Sequence, residues 1–343
     1  MEFSLVSTVF NEAKRLSQTI ADLNAQILQP SEILITDAGS TDGTFEMLKE
    51  WQQKSAVPIV LFQKERCNVA EGRNIAIKAA KYNIIASMDF GCRYQPNWLK
   101  SIITPFNDVN VKVVGGNYSV DETDIITPAA KAAYILKNGY HNNLNADTFI
   151  PSSRSIAYTK EVYNKIGGYH EWLTLAGDDM VFGITIRKLG YKIHVVNEVN
   201  ALWIRHDTAK AYIKESYRYG LGNGEARLFY SDFRQKVLRK VGWVVFGISV
   251  LIVLYGLIAL KKLLIIPAIV MIVLAYLCKM YLYYFKTWLK FKSVKYDAAT
   301  LFNALNLIGR INTGYIKGYI QGYYYPKAHQ KQEAIKLQTM LNR

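Results

Sequence analysis

Glu32-Ile33-Leu34-Ile35-Thr36-Asp37-Ala38-Gly39-Ser40-Thr41-Asp42-Gly43-Thr44 runs from apolar β-formers through small, turn-forming residues into a helical pattern over Thr44–Lys54. A strand that hands over to a helix through residues this small lets the backbone approach a ligand closely. The carboxylate of Asp37 then stands one residue past the predicted strand Glu32–Thr36. Ligands of open α/β sheets bind beyond the carboxyl ends of the strands, so the position of Asp37 matters as much as its charge.

Outward from this stretch the same rhythm repeats. Residues 3–10 read as a strand, Ser17–Leu28 as a helix stopped by Pro30, Ile59–Gln63 as a strand, Ala70–Lys81 as a helix and Ile84–Met88 as a strand. Strand alternating with helix at this spacing predicts an α/β domain with a parallel, doubly wound sheet. Asp89 follows its strand as Asp37 does. Further along, Val111–Gly115, Ser155–Tyr158 and Lys192–Val196 read as strands. Thr159–Ile166, Asp178–Leu189 and Thr208–Tyr219 read as helices, the second closed by Gly190 in the left-handed position. Three acidic stations result: Asp37 with Asp42, Asp89, and Asp178 with Asp179.

Charge and hydropathy divide the chain. Of 343 residues, 42 are basic and 27 acidic, but residues 234–343 hold 17 of the basic and only 2 of the acidic ones. The excess flanks apolar runs and forms no patch on the N-terminal part, so anionic lipid fits it better than nucleic acid. Residues 241–260 carry no charge and 263–285 carry only Lys279. About 20 apolar residues cross a bilayer, so a transmembrane helical hairpin is expected over 241–285, turning at Lys261-Lys262. Basic residues at both outer ends place the N-terminal domain on the cytoplasmic face by the positive-inside rule. The opening residues lack the pattern of a signal peptide. Residues 208–240 read as an amphipathic, interfacial linker, with a flexible joint at Tyr217–Gly224. Residues 286–343 read as a basic, Tyr-rich tail whose segment Ala298–Ile311 lies in the interface. Cys67, Cys92 and Cys278 have no metal or redox spacing.

Several strings carry a family resemblance: Val6-Ser7-Thr8-Val9-Phe10-Asn11-Glu12, Asp37 with its small-residue turn, Ala70-Glu71-Gly72-Arg73-Asn74, Asp89 with Pro96-Asn97-Trp98-Leu99, Gly167-Gly168-Tyr169-His170-Glu171, and Gly177-Asp178-Asp179 with Arg187 and Gly190-Tyr191. In this order and spacing, about residues 3–206 resemble the inverting family 2 glycosyltransferases of GT-A type. The domain is drawn at 1–207.

The resemblance implies a role for each matching residue. Glu12 and Asp37 fall where the family binds the nucleoside, and Arg73 falls near the donor diphosphate. Asp89 is the first residue of the family's Asp-X-Asp motif, which binds a divalent cation, Mg²⁺ or Mn²⁺, together with that diphosphate. The third position here is Gly91, and His206 is the expected replacement ligand. Asp179 corresponds to the catalytic base, and Asp178 to the preceding acidic residue, for which helix capping is expected beside a place in the acceptor site. Asp42 is expected to cap the helix at Thr44. The Gln-X-X-Arg-Trp string of processive relatives is absent, which favours a single transfer. The expected partners are a nucleotide-sugar donor, a membrane-associated glycan or lipid acceptor, and the membrane, with no nucleic acid. A different class of function, a membrane-tethered sugar-nucleotide-binding or scaffold protein without catalysis, draws on Thr8, Gly91 and Asp178.

Overall fold

Four parallel strands form the N-terminal half of the sheet: β1 (Phe3–Val9), β2 (Glu32–Asp37), β3 (Ile59–Gln63) and β4 (Ile84–Ser87). They alternate with helices α1 (Ala13–Asn24), α2 (Thr44–Lys54) and α3 (Val69–Ala79). The computed structural model describes residues 1–137, 144–238 and 298–342, with isolated helical positions between 240 and 273. Apolar residues on both faces of these strands account for their burial. Phe3, Leu5 and Val9 of β1 pack with Leu16, Leu48 and Trp51, whereas Val6 packs with Ala70, Ile77 and Phe182 on the opposite face. Period-2 alternation in a strand covered on both sides produces this division.

The second half of the sheet departs from the parallel expectation. Described there are β5 (Cys92–Tyr94), α4 (Trp98–Ile103), β6 (Val113–Ser119), α5 (Pro128–Leu136), β7 (Ile156–Thr159), α6 (Lys160–Ile166), α7 (Asp178–Lys188) and β8 (Ile193–Trp203). The order across the described sheet is β3-β2-β1-β4-β7-β6-β8-β5. β7 runs antiparallel to both β4 and β6, and β5 antiparallel to β8, so the sheet is mixed and only its first half is doubly wound in the parallel sense. The antiparallel pairing of β7 with β4 has a local consequence: residues 152–155, which lead into β7, arrive beside the residues that leave β4. The first helix also begins four residues earlier than Ser17, directly after Glu12, so β1 passes into α1 through only three residues.

Beyond residue 207, the glycines expected to make a flexible joint lie inside a helix, α8 (Ala209–Glu225). α8 packs along α9 (Ala298–Tyr324), and α10 (Ala328–Leu341) follows. The α8–α9 contact is backbone on backbone. A Cβ on Gly220 would lie 2.1 Å from the Tyr315 carbonyl oxygen, one on Gly224 2.5 Å from that of Tyr319, and one on Gly318 2.1 Å from that of Tyr217. Glycine is disfavoured in a helix by about 1 kcal/mol, and here close approach of the partner helix accounts for it. Gly220→Ala is therefore expected to destabilise the protein by about 1–3 kcal/mol or more through overpacking. Chemical denaturation would register it, and a stability equal to wild type would contradict this contact.

α9 also packs on α5, with Ala304 and Leu307 against Ala132 and Ala133, in a cluster that Tyr212 of α8 joins. The segment expected to lie in the membrane interface at Ala298–Ile311 is thus part of a longer helix docked on the N-terminal domain. The expected hairpin at 241–285 lies outside the described residues, apart from scattered positions; among the described residues no helix is long and apolar enough to cross a membrane.

Candidate active site

β1, β2 and β4 are neighbours, and their carboxyl ends deliver Glu12, Asp37 and Asp89 to one edge of the sheet. The strand order reverses between β1 and β4, the switch point where ligands enter such sheets.

Asp37 is fully buried. Its Oδ1 accepts hydrogen bonds from the backbone N–H groups of Gly39 (3.0 Å) and Ser40 (2.9 Å), which folds the small-residue turn around it. Its Oδ2 is buried without a hydrogen-bond partner among the described residues. An unsatisfied buried carboxylate oxygen is costly, and a donor from a ligand would remove that cost. Asp42 is occupied structurally. It accepts from the Thr44 hydroxyl (2.6 Å) and N–H (3.1 Å) and from the Ala13 N–H (3.1 Å), tying the starts of α1 and α2 together. The Thr44 hydroxyl is the main cause holding its carboxyl below the usual range. Burial pushes the Glu12 carboxyl up; Arg15 opposes this, and the fields of Asp42 and Asp89 add to it.

Arg73 joins the stations. It is buried in α3, and its Nη2 donates to Asp89 Oδ1 at 2.5 Å while its Nη1 donates to Asp178 Oδ2. α3 can bring it there because residue 72 is glycine: a Cβ at that position would meet the Thr8 side chain of β1 at 2.5 Å. The neighbouring Asn74 fixes the Gly167-Gly168-Tyr169 turn by donating to the Tyr169 carbonyl (2.8 Å) and Glu171 Oε1 (2.8 Å) and accepting from the Tyr169 N–H (2.9 Å). The Arg-Asn pair thus divides its work, with the arginine facing the carboxylates and the asparagine holding the turn that leads towards Asp178.

Asp178 and Asp179 open α7, whose N-cap is Gly177. Asp178 does not cap the helix as expected: its carboxylate pairs with Arg73. Burial pushes that carboxyl up to about 6, against the opposing pull of Arg73. Asp179 is half-buried, and its Oδ2 accepts from the Ser152 hydroxyl at 2.9 Å. Ser152 in turn accepts from Arg154 Nη1 at 2.8 Å, and Arg154 Nε lies 3.9 Å from Asp89 Oδ2. A closed circuit results, from Asp89 through Arg73 to Asp178 and back from Asp179 through Ser152 and Arg154 to Asp89.

Arg154 and Ser152 were not singled out from the sequence. The Arg154 guanidinium stacks on Trp203 at 3.9 Å, and its place beside Asp89 follows from the antiparallel β4–β7 pairing. Tyr94 locks that arrangement. Its hydroxyl accepts from the Asp89 N–H (3.0 Å), and its own proton is shared between the carbonyls of Asp89 (3.0 Å) and Arg154 (3.1 Å). Glu12, Asp89, Arg154 and Asp179 are partly accessible around the buried Arg73. This is a cleft of alternating charge, suited to an anionic ligand beside a proton acceptor.

The described elements form an α/β domain with the fold of nucleotide-sugar transferases and a charged cleft at its strand ends. Residues 4–167 match the sequence model described as Glycosyl transferase family 2. Among relatives, the chain is similar to the glycosyltransferase AglE of Haloferax volcanii, 22% identical over 71% of this chain and 80% of the relative. It is also similar to the O-antigen chain rhamnosyltransferase WbaN of Salmonella anatum, 26% identical over 63% of this chain and 70% of the relative. A solved structure of similar fold is the mannosyltransferase PcManGT from Pyrobaculum calidifontis in complex with GDP-Man and Mn²⁺. It matches at a TM-score of 0.55 and 14% identity, over 95% of this chain and 88% of the other.

The pair expected to hold a divalent cation does not come together as a ligand set. Asp89 Oδ1 is taken by Arg73, and Gly91 supplies no carboxylate. His206 turns its Nε2 towards Glu215 at 3.7 Å, and burial lowers the imidazole's affinity for a proton. Among the described residues no group of three or more His, Cys, Asp or Glu side chains is placed to share an ion. As arranged, the donor set does not fit a resident metal.

Proposed function

We propose that this protein is an inverting glycosyltransferase that moves one sugar from a nucleotide donor to a membrane-associated acceptor, a lipid-linked glycan or a polysaccharide precursor. The observation that carries the reading is the Arg73 bridge between Asp89 and Asp178, which sets Asp179 beside a cleft of alternating charge at the ends of β1, β2 and β4. Asp37 and Glu12 receive the nucleoside, with the free Oδ2 of Asp37 as an acceptor for a ribose hydroxyl or a base N–H. Arg73 and Arg154 face the diphosphate, and guanidinium forks suit phosphate oxygens. The acceptor hydroxyl oxygen bonds to the anomeric carbon as the bond from that carbon to the diphosphate oxygen breaks. The leaving nucleoside diphosphate keeps the electron pair, and the hydroxyl proton passes to the Asp179 carboxylate.

The membrane part of the proposal rests on the uncharged run at 241–260 and on the run at 263–285 that carries only Lys279, each long enough to cross a bilayer. The cytoplasmic leaflet is the proposed location, from the flanking lysines and arginines.

Calorimetric titration with a panel of sugar nucleotides, with and without Mn²⁺, followed by turnover on membrane extracts, tests the reading. One donor is expected to bind selectively, with transfer producing the opposite anomeric configuration. Binding without turnover on any extract would instead support a tethered binding protein, and retained configuration would overturn the inverting mechanism.

A further inference from the structure

The segment Glu171–Gly177 leads directly into Asp178 and Asp179, and three separate elements grip it. From the start of α3, the Asn68 side-chain amide donates to the carbonyls of Glu171 (2.7 Å) and Leu173 (3.1 Å). From the end of α8, the buried Glu225 accepts from the Thr174 N–H (2.9 Å) and hydroxyl (2.5 Å). The third grip comes from α10, more than 150 residues away in sequence. The Gln330 amide divides its two protons among the Trp172 carbonyl (2.9 Å), the Thr174 hydroxyl (3.0 Å) and Glu225 Oε1 (3.2 Å).

Gln330 is only 5% exposed, and its own Oε1 is fixed by the Lys327 N–H at 2.9 Å. Apolar contacts close over the same place: Leu173 and Val181 pack with Ala226, Leu337 and Leu341. On the inner side a Cβ at Gly222 would lie 2.0 Å from the Ala176 carbonyl oxygen, so α8 touches the segment through bare backbone. Burying a glutamine amide and a glutamate carboxylate costs free energy unless their hydrogen bonds are made, and here four of those bonds go to Trp172 and Thr174 of one seven-residue segment.

We infer that Gln330 and Glu225 are positioning residues, which hold Thr174 and thereby set Asp178 against Arg73 and Asp179 at the acceptor side, so that the C-terminal helix governs the rate of transfer. The effect on turnover rests on the reading of Asp179 as the base; the grip itself does not. A displacement of about 1 Å in a reacting group can cost up to about 100-fold in rate, which sets the scale expected when the grip is released.

The test uses the full-length, membrane-reconstituted protein. Gln330→Ala is expected to lower kcat by about 10- to 100-fold with the donor KM unchanged, and to accelerate amide hydrogen exchange in 171–177 but not in α2. Lys331→Ala, on the exposed side of α10, serves as the control and leaves both unchanged. Gln330→Glu keeps size and shape but sets a second carboxylate against Glu225 beside Lys327, so its kcat deficit is expected to widen as pH rises and both ionise. If Gln330→Ala fails to fold, this pH-dependent deficit decides instead, and a deficit constant with pH would overturn the inference. Unaltered exchange in 171–177 would overturn the grip whatever the chemistry at Asp179. Accelerated exchange with normal turnover would overturn its role in transfer, while turnover surviving Asp179→Asn would instead remove the reading on which that role rests.

Discussion

Asp179→Asn is expected to lower turnover by about 10²–10⁴-fold, the usual contribution of a general base, while donor affinity stays at the wild-type level. The substitution is nearly isosteric. An asparagine can still accept from the Met180 N–H, which reaches Asp179 Oδ1 at 2.8 Å, and turn its amide towards Ser152. What it loses is the ability to take a proton. Because Asp179 does not touch Arg73 or Asp89 in the circuit, the two guanidiniums offered to the donor are left in place. Initial rates under saturating donor and acceptor, with donor binding measured separately, divide the two effects. Wild-type turnover in the variant would remove Asp179 from the mechanism, and loss of donor binding would reassign it to the donor site.

Arg73→Ala acts on the folded state itself. Removing one partner of a buried ion pair leaves the other charge uncompensated and typically costs about 3–5 kcal/mol. Here Asp178 is the buried group left behind, with Asp89 losing a contact at the more exposed end. The cost carries a pH signature. Burial raises the folded-state carboxyl of Asp178 from its ordinary value of 3.8 to about 6 even with Arg73 present. Between those values the folded state holds a proton that the unfolded state has released, so this group's contribution to stability declines as pH rises through the window. Asp178→Asn should flatten that part of the wild-type profile. Without Arg73 the carboxyl is pushed higher still, so the loss caused by Arg73→Ala is expected to be larger at pH 8 than at pH 5. Urea unfolding at the two pH values measures it, and an equal loss at both would contradict the buried pairing.

The parts of the site legible in the sequence are those carried by local pattern. Asp37 and Asp89 could be placed because each follows a short β-branched run in a β/α alternation, and the ends of parallel strands share one edge. Asp178 and Asp179 could be placed beside them only through the family resemblance, since nothing in their own helix says which way it faces. Arg154 and Ser152 escaped notice because their relation to Asp89 is created by β7 entering the sheet antiparallel to β4, a pairing between residues about 70 positions apart. Tyr94 escaped for the same reason, standing in a three-residue strand that pairs with the far end of β8. The reading of Tyr217–Gly224 as a joint failed physically as well. Helix propensity counts glycine against a helix, yet six glycines of α8 and α9 meet backbone in the partner helix or in the loop before α7, and tertiary contact overrides propensity there. Asp178 was expected at a cap because Asp favours helix starts; the buried guanidinium of Arg73 is the stronger claim on it.

The glycine seam between α8 and α9 has a mechanical meaning. Side chains at an ordinary helix crossing can switch rotamers and absorb a small shift, but main chain pressed on main chain has no such slack. The two helices are therefore coupled as a single stiff unit, braced on α5, that ends at Glu225 beside the acidic turn. Any movement of the Ala298 end of α9 would be carried along α8 to Glu225 and the turn before Asp178.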